Sequence, residues 1–372
     1  MKIVFAIPAM GFGGAERVVS LLANEFAKKG NEVFILSLTG NTESAYPLED
    51  GVKLIPIKDQ RSTLCTWSEF RKVCKVLHVD IVLAFMTGVG VAASTFLIGS
   101  QIPVIISERC DPSAKDMSLS LKLKVMERVS RYFTAGYVFQ SEGAKAFFPK
   151  SIQKKSCIIL NPLNSESLPE RDPDHIDNRI VSVGRLHPQK NFKMLIDAFA
   201  ASKAKEQHTL HIYGEGALRK GLEQQIQSLG LCNKIFLEGN SPKVHEEIKQ
   251  AKLFAFTSDY EGLPNALMEA MAIGLPCIST DCSPGGARML IQNGENGILV
   301  PCGDTEQFTQ ALNQLCNDSV KLKNYGEKAR QIKERTNVET IAELWLSFVA
   351  QVKKRQCFPQ IHSRCFGTKT ER

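Results

Sequence analysis

The sequence predicts an α/β protein built of two parallel-sheet domains that face each other across a cleft. Three observations predict it. Short β-branched runs alternate with longer amphipathic stretches, the pattern of parallel strands covered by helices. That series halts at a polar segment, 164–178, rich in Asp, Glu and Pro, and then starts afresh; such a composition reads as a linker. The chain of 372 residues is long enough for two cores of ordinary size.

In order, the first series places strands at 3–8, 32–38, 52–56, 81–85, 104–107 and 137–140, with helices at 15–29, 69–78, 90–97, 119–132 and 143–148. It assigns residues 1–163 to the first domain. The second series, domain 179–338, places strands at 180–183, 209–213, 235–238, 253–256, 276–279 and 297–300. A last helix over 339–355 carries Ile341, Leu344, Trp345, Phe348 and Val352 at helical spacing, and a basic tail over 356–372 follows it. Folds of this kind bind ligands at the carboxyl ends of their parallel strands.

Composition narrows the function. Hydrophobic residues make up 43% and charged residues 23%, the balance of a soluble globular protein. Eleven cysteines without a C-x-x-C pair read as reduced structural thiols. The apolar run 2–7 ends at Pro8 and glycines, unlike a signal peptide, and no run is long enough to span a bilayer, so a cytoplasmic location is expected. The net charge of +7 is uneven: residues 1–160 hold 20 Lys/Arg against 14 Asp/Glu, and 161–372 hold 26 against 25. A basic first half suits nucleic acid, an anionic membrane face or a pyrophosphate-bearing substrate.

Four motifs carry chemistry. Gly11-Phe12-Gly13-Gly14-Ala15-Glu16-Arg17 joins a strand to a helix, where glycines admit a ligand to the backbone and the helix start offers free N–H groups. A dinucleotide site would need a carboxylate after the next strand; Ser37-Leu38-Thr39-Gly40 has none. Val183-Gly184-Arg185-Leu186, with Lys190 five residues beyond Arg185, offers a guanidinium fork and a point charge to one anion. Tyr213-Gly214-Glu215-Gly216 is a strand-end turn suited to close packing near a ligand. In Ser258-Asp259-Tyr260-Glu261-Gly262-Leu263-Pro264-Asn265, a helix starting at Pro264 or Asn265 leaves Gly262 and Leu263 at its positive end. Glu261 precedes that helix and Glu269 lies a little over a turn inside it. Seven dispersed histidines give no zinc spacing, and neither a G-x-S-x-G elbow nor a Walker loop occurs. Asp172-Pro173-Asp174 has the D-x-D form of metal-dependent sugar transferases, but it lies in the polar linker.

With Gly13-Gly14-Ala15-Glu16-Arg17, Ser107-Glu108-Arg109, Asn161-Pro162, Gly184-Arg185-Leu186 with Lys190-Asn191, Gly214-Glu215-Gly216, and Glu261 and Glu269 separated by seven residues, the sequence resembles glycosyltransferase family 4 over nearly its whole length. The resemblance implies the GT-B fold, two Rossmann-like domains with the last helix returning to the first. It implies that Arg185, Lys190 and the amides of Gly262 and Leu263 hold the donor diphosphate, with Gly14, Gly184, Gly214 and Gly216 around it. Glu269 would bind the nucleotide ribose, Glu261 the transferred sugar, and residues 238–240 would lie near the base. Many relatives place a histidine where Arg109 stands; Arg109 cannot act as a base but can bind a sugar hydroxyl or an acceptor phosphate.

Family members of this kind retain anomeric configuration, generally without a metal or other cofactor. The resemblance is strongest to bacterial members that extend lipid-linked oligosaccharides in lipopolysaccharide or O-antigen biosynthesis. The expected activity is transfer of a hexose or N-acetylhexosamine from a UDP-sugar to a polyprenyl-diphosphate saccharide, with no nucleic-acid partner. The stretch 119–132, in which Lys122, Lys124, Arg128 and Arg131 alternate with Leu121, Leu123, Val125, Met126 and Val129, would rest on the anionic inner face of the cytoplasmic membrane. A UDP-N-acetylglucosamine 2-epimerase of the same fold, or an idle sugar-nucleotide-binding subunit, are the rivals. The first lacks an obvious set of acid/base groups, and the intact Arg185, Lys190, Glu261 and Glu269 argue against the second.

Overall fold

The structure, a computed structural model, describes residues 1–113 and 121–357. The proposed membrane stretch therefore begins outside the described residues, as does the basic tail from 358 onward.

The first sheet contains β1 (Lys2–Ile7), β2 (Glu32–Ser37), β3 (Val52–Pro56), β4 (Ile81–Phe85), β5 (Val104–Ser107), β6 (Gly136–Phe139) and β7 (Ser156–Ile158). All pairings are parallel and the order is β3-β2-β1-β4-β5-β6-β7. Its central strands are buried on both faces, which is why β1 and β4 read as unbroken apolar runs and not as alternating ones. The helices are α1 (Gly14–Lys28), α2 (Thr63–Val76), α3 (Thr87–Phe96), α4 (Leu121–Phe133), α5 (Glu142–Ala146) and α6 (Lys150–Gln153).

The second sheet contains β8 (Arg179–Val183), β9 (Thr209–Tyr213), β10 (Ile235–Gly239), β11 (Leu253–Phe256), β12 (Cys277–Asp281) and β13 (Ile298–Pro301), ordered β10-β9-β8-β11-β12-β13, again all parallel. Its helices are α7 (Phe192–Ala201), α8 (Arg219–Ser228), α9 (Val244–Ile248), α10 (Asn265–Ile273), α11 (Gly286–Leu290), α12 (Thr305–Cys316), α13 (Ser319–Ala329) and α14 (Ile332–Thr336). In both sheets the winding direction reverses beside the first strand, between β1 and β4 and between β8 and β11. Ligands bind outside the strand ends at such switch points.

The last helix, α15 (Val338–Cys357), returns to the first domain. Trp345 is fully buried there and stacks on Phe85 at 5.9 Å, with Phe348, Val349 and Val352 in the same core. A large-to-small change at such a buried aromatic costs about 3–5 kcal/mol. Ion pairs from Lys353 to Asp80 (2.6 Å) and from Glu343 to Lys29 (3.1 Å) flank the seam. Leu344, expected on the packed stripe, is exposed instead.

Two other expectations are corrected. β7 was not anticipated, because it is a three-residue, half-buried edge strand with no apolar run of its own. Helix α2 begins six residues before the expected 69, where Ser62 caps it by accepting from the amide of Cys65.

Candidate active site

A cavity of about 410 Å³ lies between the two switch points. Seven of the expected site residues line it: Gly14 and Arg109 from the first domain, and Arg185, Lys190, Glu261, Gly262 and Leu263 from the second. A larger cavity, about 600 Å³, lies behind the second sheet around Arg171 and Arg330. There both guanidiniums are engaged with backbone carbonyls at the end of α10, Arg171 with Gly274 (2.7 Å) and Arg330 with Ile273 (3.3 Å), so that cavity is built for capping a helix.

The second domain's wall is tied together by its own loops. Asn191 adopts φ 45°, caps α7 through the amide of Met194, and donates from Nδ2 to Asp259 at 2.8 Å. Gln189 donates to the carbonyl of Tyr260 (2.9 Å) and its own carbonyl accepts from the amide of Asp259 (2.9 Å). Thr257 donates to the carbonyl of Lys190 at 3.0 Å. These bonds fasten the loop after β8 to the loop after β11, so Lys190 and Glu261 meet.

Lys190 Nζ lies 2.5 Å from Glu261 Oε1, which also accepts from Ser258 Oγ at 3.0 Å. Lys190 sits 5.1 Å over the ring of Phe256. Arg185 is exposed and makes no ion pair among the described residues. The amides of Gly262 and Leu263 donate to no described residue, and α10 begins just beyond them with no side-chain cap. Two cations and a helix start thus face one volume, an arrangement that binds a diphosphate.

The glycines divide into two groups. A Cβ on Gly262 would come 2.3 Å from the carbonyl oxygen of Arg109 and 2.8 Å from Gln140 Oε1, so Gly262 lets the two domains meet. Gly214 (φ +140°) would place a Cβ 2.0 Å from the carbonyl oxygen of Gly184, and Gly216 one 2.4 Å from that of Leu186. Gly214 and Gly216 therefore back the loop that carries Arg185 and are not among the residues lining the cavity. Gly184 packs against the Lys190 stem, its Cβ position 3.2 Å from Lys190 Cδ. Residues 238–240 also lie outside the cavity lining, with Glu238 held by His211 Nδ1 at 2.5 Å.

Glu269 is held from both sides. Arg17 on α1 reaches across the cleft to Oε1 (2.5 Å), and His245 on α9 meets Oε2 (2.8 Å). One turn earlier on α10, Asn265 Oδ1 accepts from Asn161 Nδ2 at 2.6 Å. The first domain thus grips a single face of α10 at two points four residues apart. Arg17 and Asn161 both lie in quoted motifs, but nothing in their spacing marks them as cross-cleft partners of α10.

Arg109 is the main correction. Its guanidinium turns inward, 4.5 Å over Phe85 and 5.9 Å from Trp345, and Nη1 donates to Asn161 Oδ1. Nε and Nη2 are buried and find no partner among the described residues. Burial pulls the group down to about 9, partly offset by Glu108, so it remains a cation at neutral pH. Two orphan donors cost about 1–3 kcal/mol each, and a desolvated cation–π contact returns about 2 kcal/mol. The arrangement is held by the surrounding fold: Arg109 lines the cavity, but its guanidinium packs on Phe85 and Trp345 and bonds Asn161. Asp172 of the D-x-D sequence pairs with His175 (2.6 Å) and accepts from the amide of Asp174, a local turn remote from the cavity.

Comparisons with known proteins agree with this architecture. Residues 12–166 match the family described as Glycosyltransferase Family 4, and residues 165–332 match Glycosyl transferases group 1. The chain is 29% identical over 366 residues to the GalNAc-alpha-(1->4)-GalNAc-alpha-(1->3)-diNAcBac-PP-undecaprenol alpha-1,4-N-acetyl-D-galactosaminyltransferase of Campylobacter jejuni, covering 95% of this chain and 99% of that one. It is 26% identical to the amylovoran biosynthesis glycosyltransferase AmsD of Erwinia amylovora, over 90% and 95% of the two chains. Among solved structures, Anabaena HepE in complex with UDP superposes with a TM-score of 0.81 at 21% identity, covering 94% of this chain and all of that one. Fold and cleft together define an enzyme of the GT-B class, a glycosyltransferase. The two matches adjoin and run over most of the sequence: a Glycosyltransferase Family 4 domain is followed by a Glycosyl transferases group 1 domain.

Proposed function

We propose that the protein is a retaining transferase that moves a hexose or N-acetylhexosamine from a UDP-sugar to a polyprenyl-diphosphate-linked saccharide in bacterial surface polysaccharide (O-antigen) synthesis. The observation that carries the donor half is the convergence of Arg185, the Lys190–Glu261 pair and the free amides of Gly262 and Leu263 on one cavity. Arg185 and those amides bind the diphosphate, and Lys190 shifts from Glu261 toward the charge that grows on the leaving phosphate. Glu261, so released, accepts hydrogen bonds from the donor sugar. Glu269, held by Arg17 and His245, keeps lone pairs for the ribose hydroxyls. These cations supply the charge a metal would supply elsewhere, so the reaction runs without one. The acceptor half draws support from the undecaprenol-diphosphate substrate named for the Campylobacter relative.

Helix α4 supports a peripheral place on the inner face of the cytoplasmic membrane. Val125, Val129 (51% exposed) and Tyr132 (84% exposed) form an outward apolar stripe beside exposed Arg128, while Arg131 is drawn back to Glu127 at 3.1 Å. An apolar stripe with flanking cations lies in the headgroup region. Among the described residues no helix is long and apolar enough to cross a membrane.

The test is incubation with a panel of UDP-, GDP- and ADP-sugars and a short-chain lipid-diphosphate saccharide, with the product's linkage and anomeric configuration determined by NMR. Transfer from a UDP-sugar with retention, undiminished by EDTA, is expected; inversion or free-sugar epimerisation would overturn the reading. Sedimentation with anionic liposomes, reversed by salt, tests the membrane contact.

A further inference from the structure

The cleft cavity does not end at Arg109. Asp111 lines it and also lines an adjoining cavity of about 550 Å³, a size within the roughly 300–1,000 Å³ of small-molecule sites. One wall of this second cavity is Asp111, Glu142 and Phe147 of the first domain; the other is Asp281, Met289 and the 282–285 loop of the second. The walls are fixed against each other. Ser141 Oγ donates to the carbonyl of Pro284 at 2.8 Å, and a Cβ on Gly143 would come 2.2 Å from that same oxygen.

Asp111 is only 3% exposed. Its Oδ1 accepts from the amide and the hydroxyl of Ser113, at 2.8 and 2.6 Å, while Oδ2 accepts from none of the described residues. That oxygen is an acceptor which a donor in the cavity can use. Asp281 is satisfied by Arg288, whose Nε lies 2.8 Å from Oδ1. The Glu142 carboxylate faces the cavity without ion pair or hydrogen bond to the described residues, and Phe147 (46% exposed) lines it nearby, its ring edge-on to Phe148 at 5.6 Å. The lining therefore carries an excess of negative charge, which repels phosphates and carboxylates. It also offers an aromatic ring and the Met289 side chain to an apolar face. A ring with hydroxyls on its rim and C–H groups on its face satisfies both.

We propose that this cavity is an acceptor subsite for a neutral sugar residue, a hexose or N-acetylhexosamine, one position removed from the sugar that reacts. Asp111, at the junction, accepts a hydrogen bond from an acceptor hydroxyl and sets the register of the saccharide in the cleft. The proposal rests on the transferase reading above. It requires that the preferred acceptor hold at least two sugars and that its diphosphate lie away from this cavity.

The experiment compares a lipid-diphosphate-linked disaccharide of N-acetylhexosamines with the matching monosaccharide, using the wild type and the Phe147→Ala, Glu142→Gln and Asp111→Asn variants. UDP binding is measured alongside by calorimetry. Loss of a hydrogen bond to a charged group predicts a fall of about ten- to a hundredfold in kcat/KM for the disaccharide in Asp111→Asn. Phe147→Ala, at a half-exposed position, is expected to lose about five- to tenfold. UDP affinity stays unchanged and the preference for disaccharide over monosaccharide collapses. Unchanged preference in all three variants, or weakened UDP binding, would overturn the subsite. Wild-type protein that binds UDP but elongates neither acceptor would overturn the transferase reading itself.

Discussion

The two walls of the cleft are built on opposite plans. The second domain's wall is charged and fastened: the loops after β8 and β11 are joined by side-chain and backbone bonds, and they present Arg185, Lys190 and Glu261 to the cavity. The first domain's wall offers a glycine-rich helix start, an arginine turned inward and a buried carboxylate at the edge. One wall is preformed for an anion; the other supplies shape and close approach. Charge already gathered at the cavity limits reorganisation to the step of Lys190 away from Glu261 as the leaving diphosphate develops, whereas an acceptor that differs among enzymes is served by a wall of shape.

This contrast can be broken most directly at Lys190. Lys190→Ala removes a cation from the diphosphate volume and leaves Glu261 unpaired, and kcat/KM for the donor is expected to fall by about 10²–10³. Steady-state kinetics with saturating acceptor measure it, and a fall under threefold would remove Lys190 from the machinery. Next in size is Gly262→Ala. The added methyl meets the carbonyl of Arg109 at 2.3 Å, so the walls separate. UDP affinity should hold while kcat drops by at least about tenfold, the signature of lost positioning; small-angle scattering would show the opened cleft.

A smaller effect sharpens the contrast. Among the described residues Arg17 is the first domain's one ion pair to α10, partly exposed and so worth about 1–2 kcal/mol. Arg17→Ala is expected to raise the donor KM about tenfold with kcat little changed. An equal loss in acceptor KM would place Arg17 on the other substrate.

The smallest effect reads the domains separately. Burial pushes the thiols of Cys74, in the first domain, and Cys316, in the second, up to about 12. In the unfolded chain they deprotonate near 8.5. Between those values the native state binds more protons, so each thiol withdraws stability as pH rises past about 8.5. At pH 8 both resist alkylation until their domain opens. UDP at about 100 times its Kd stabilises the domain that holds it by about 2.7 kcal/mol. It should therefore slow alkylation of Cys316 far more than of Cys74, followed by mass spectrometry. Equal protection would mean that the first domain shares the nucleotide.

Much was legible in the chain because it depends on local chemistry. Apolar runs at β1 and β4, the restart at 179, the glycine turns and the sequence from Ser258 to Asn265 each carry their meaning within ten residues or so. Family resemblance then attached roles to Arg185, Lys190, Glu261 and Glu269, and the structure brings the first three to one cavity. The packing of Gly214 and Gly216 was not legible because a strand-end glycine looks the same whether it admits a ligand or a neighbouring loop; only the structure shows their close approach to the Gly184 and Leu186 carbonyls.

The sequence by itself determined the two parallel-sheet domains, the amphipathic return helix and the residue types that a diphosphate requires. Tertiary structure alone decided where the side chains point across the cleft. It paired Arg17 with Glu269 over a separation of 252 residues, tied Asn161 to Asn265 over 104, and folded Arg109 onto Phe85 and Trp345. It also opened the cavity beyond Asp111 between two domains. The physical reason is range: strand and helix patterns follow from neighbours along the chain, whereas an ion pair or cavity between domains exists only after both cores have packed and the last helix has returned to the first.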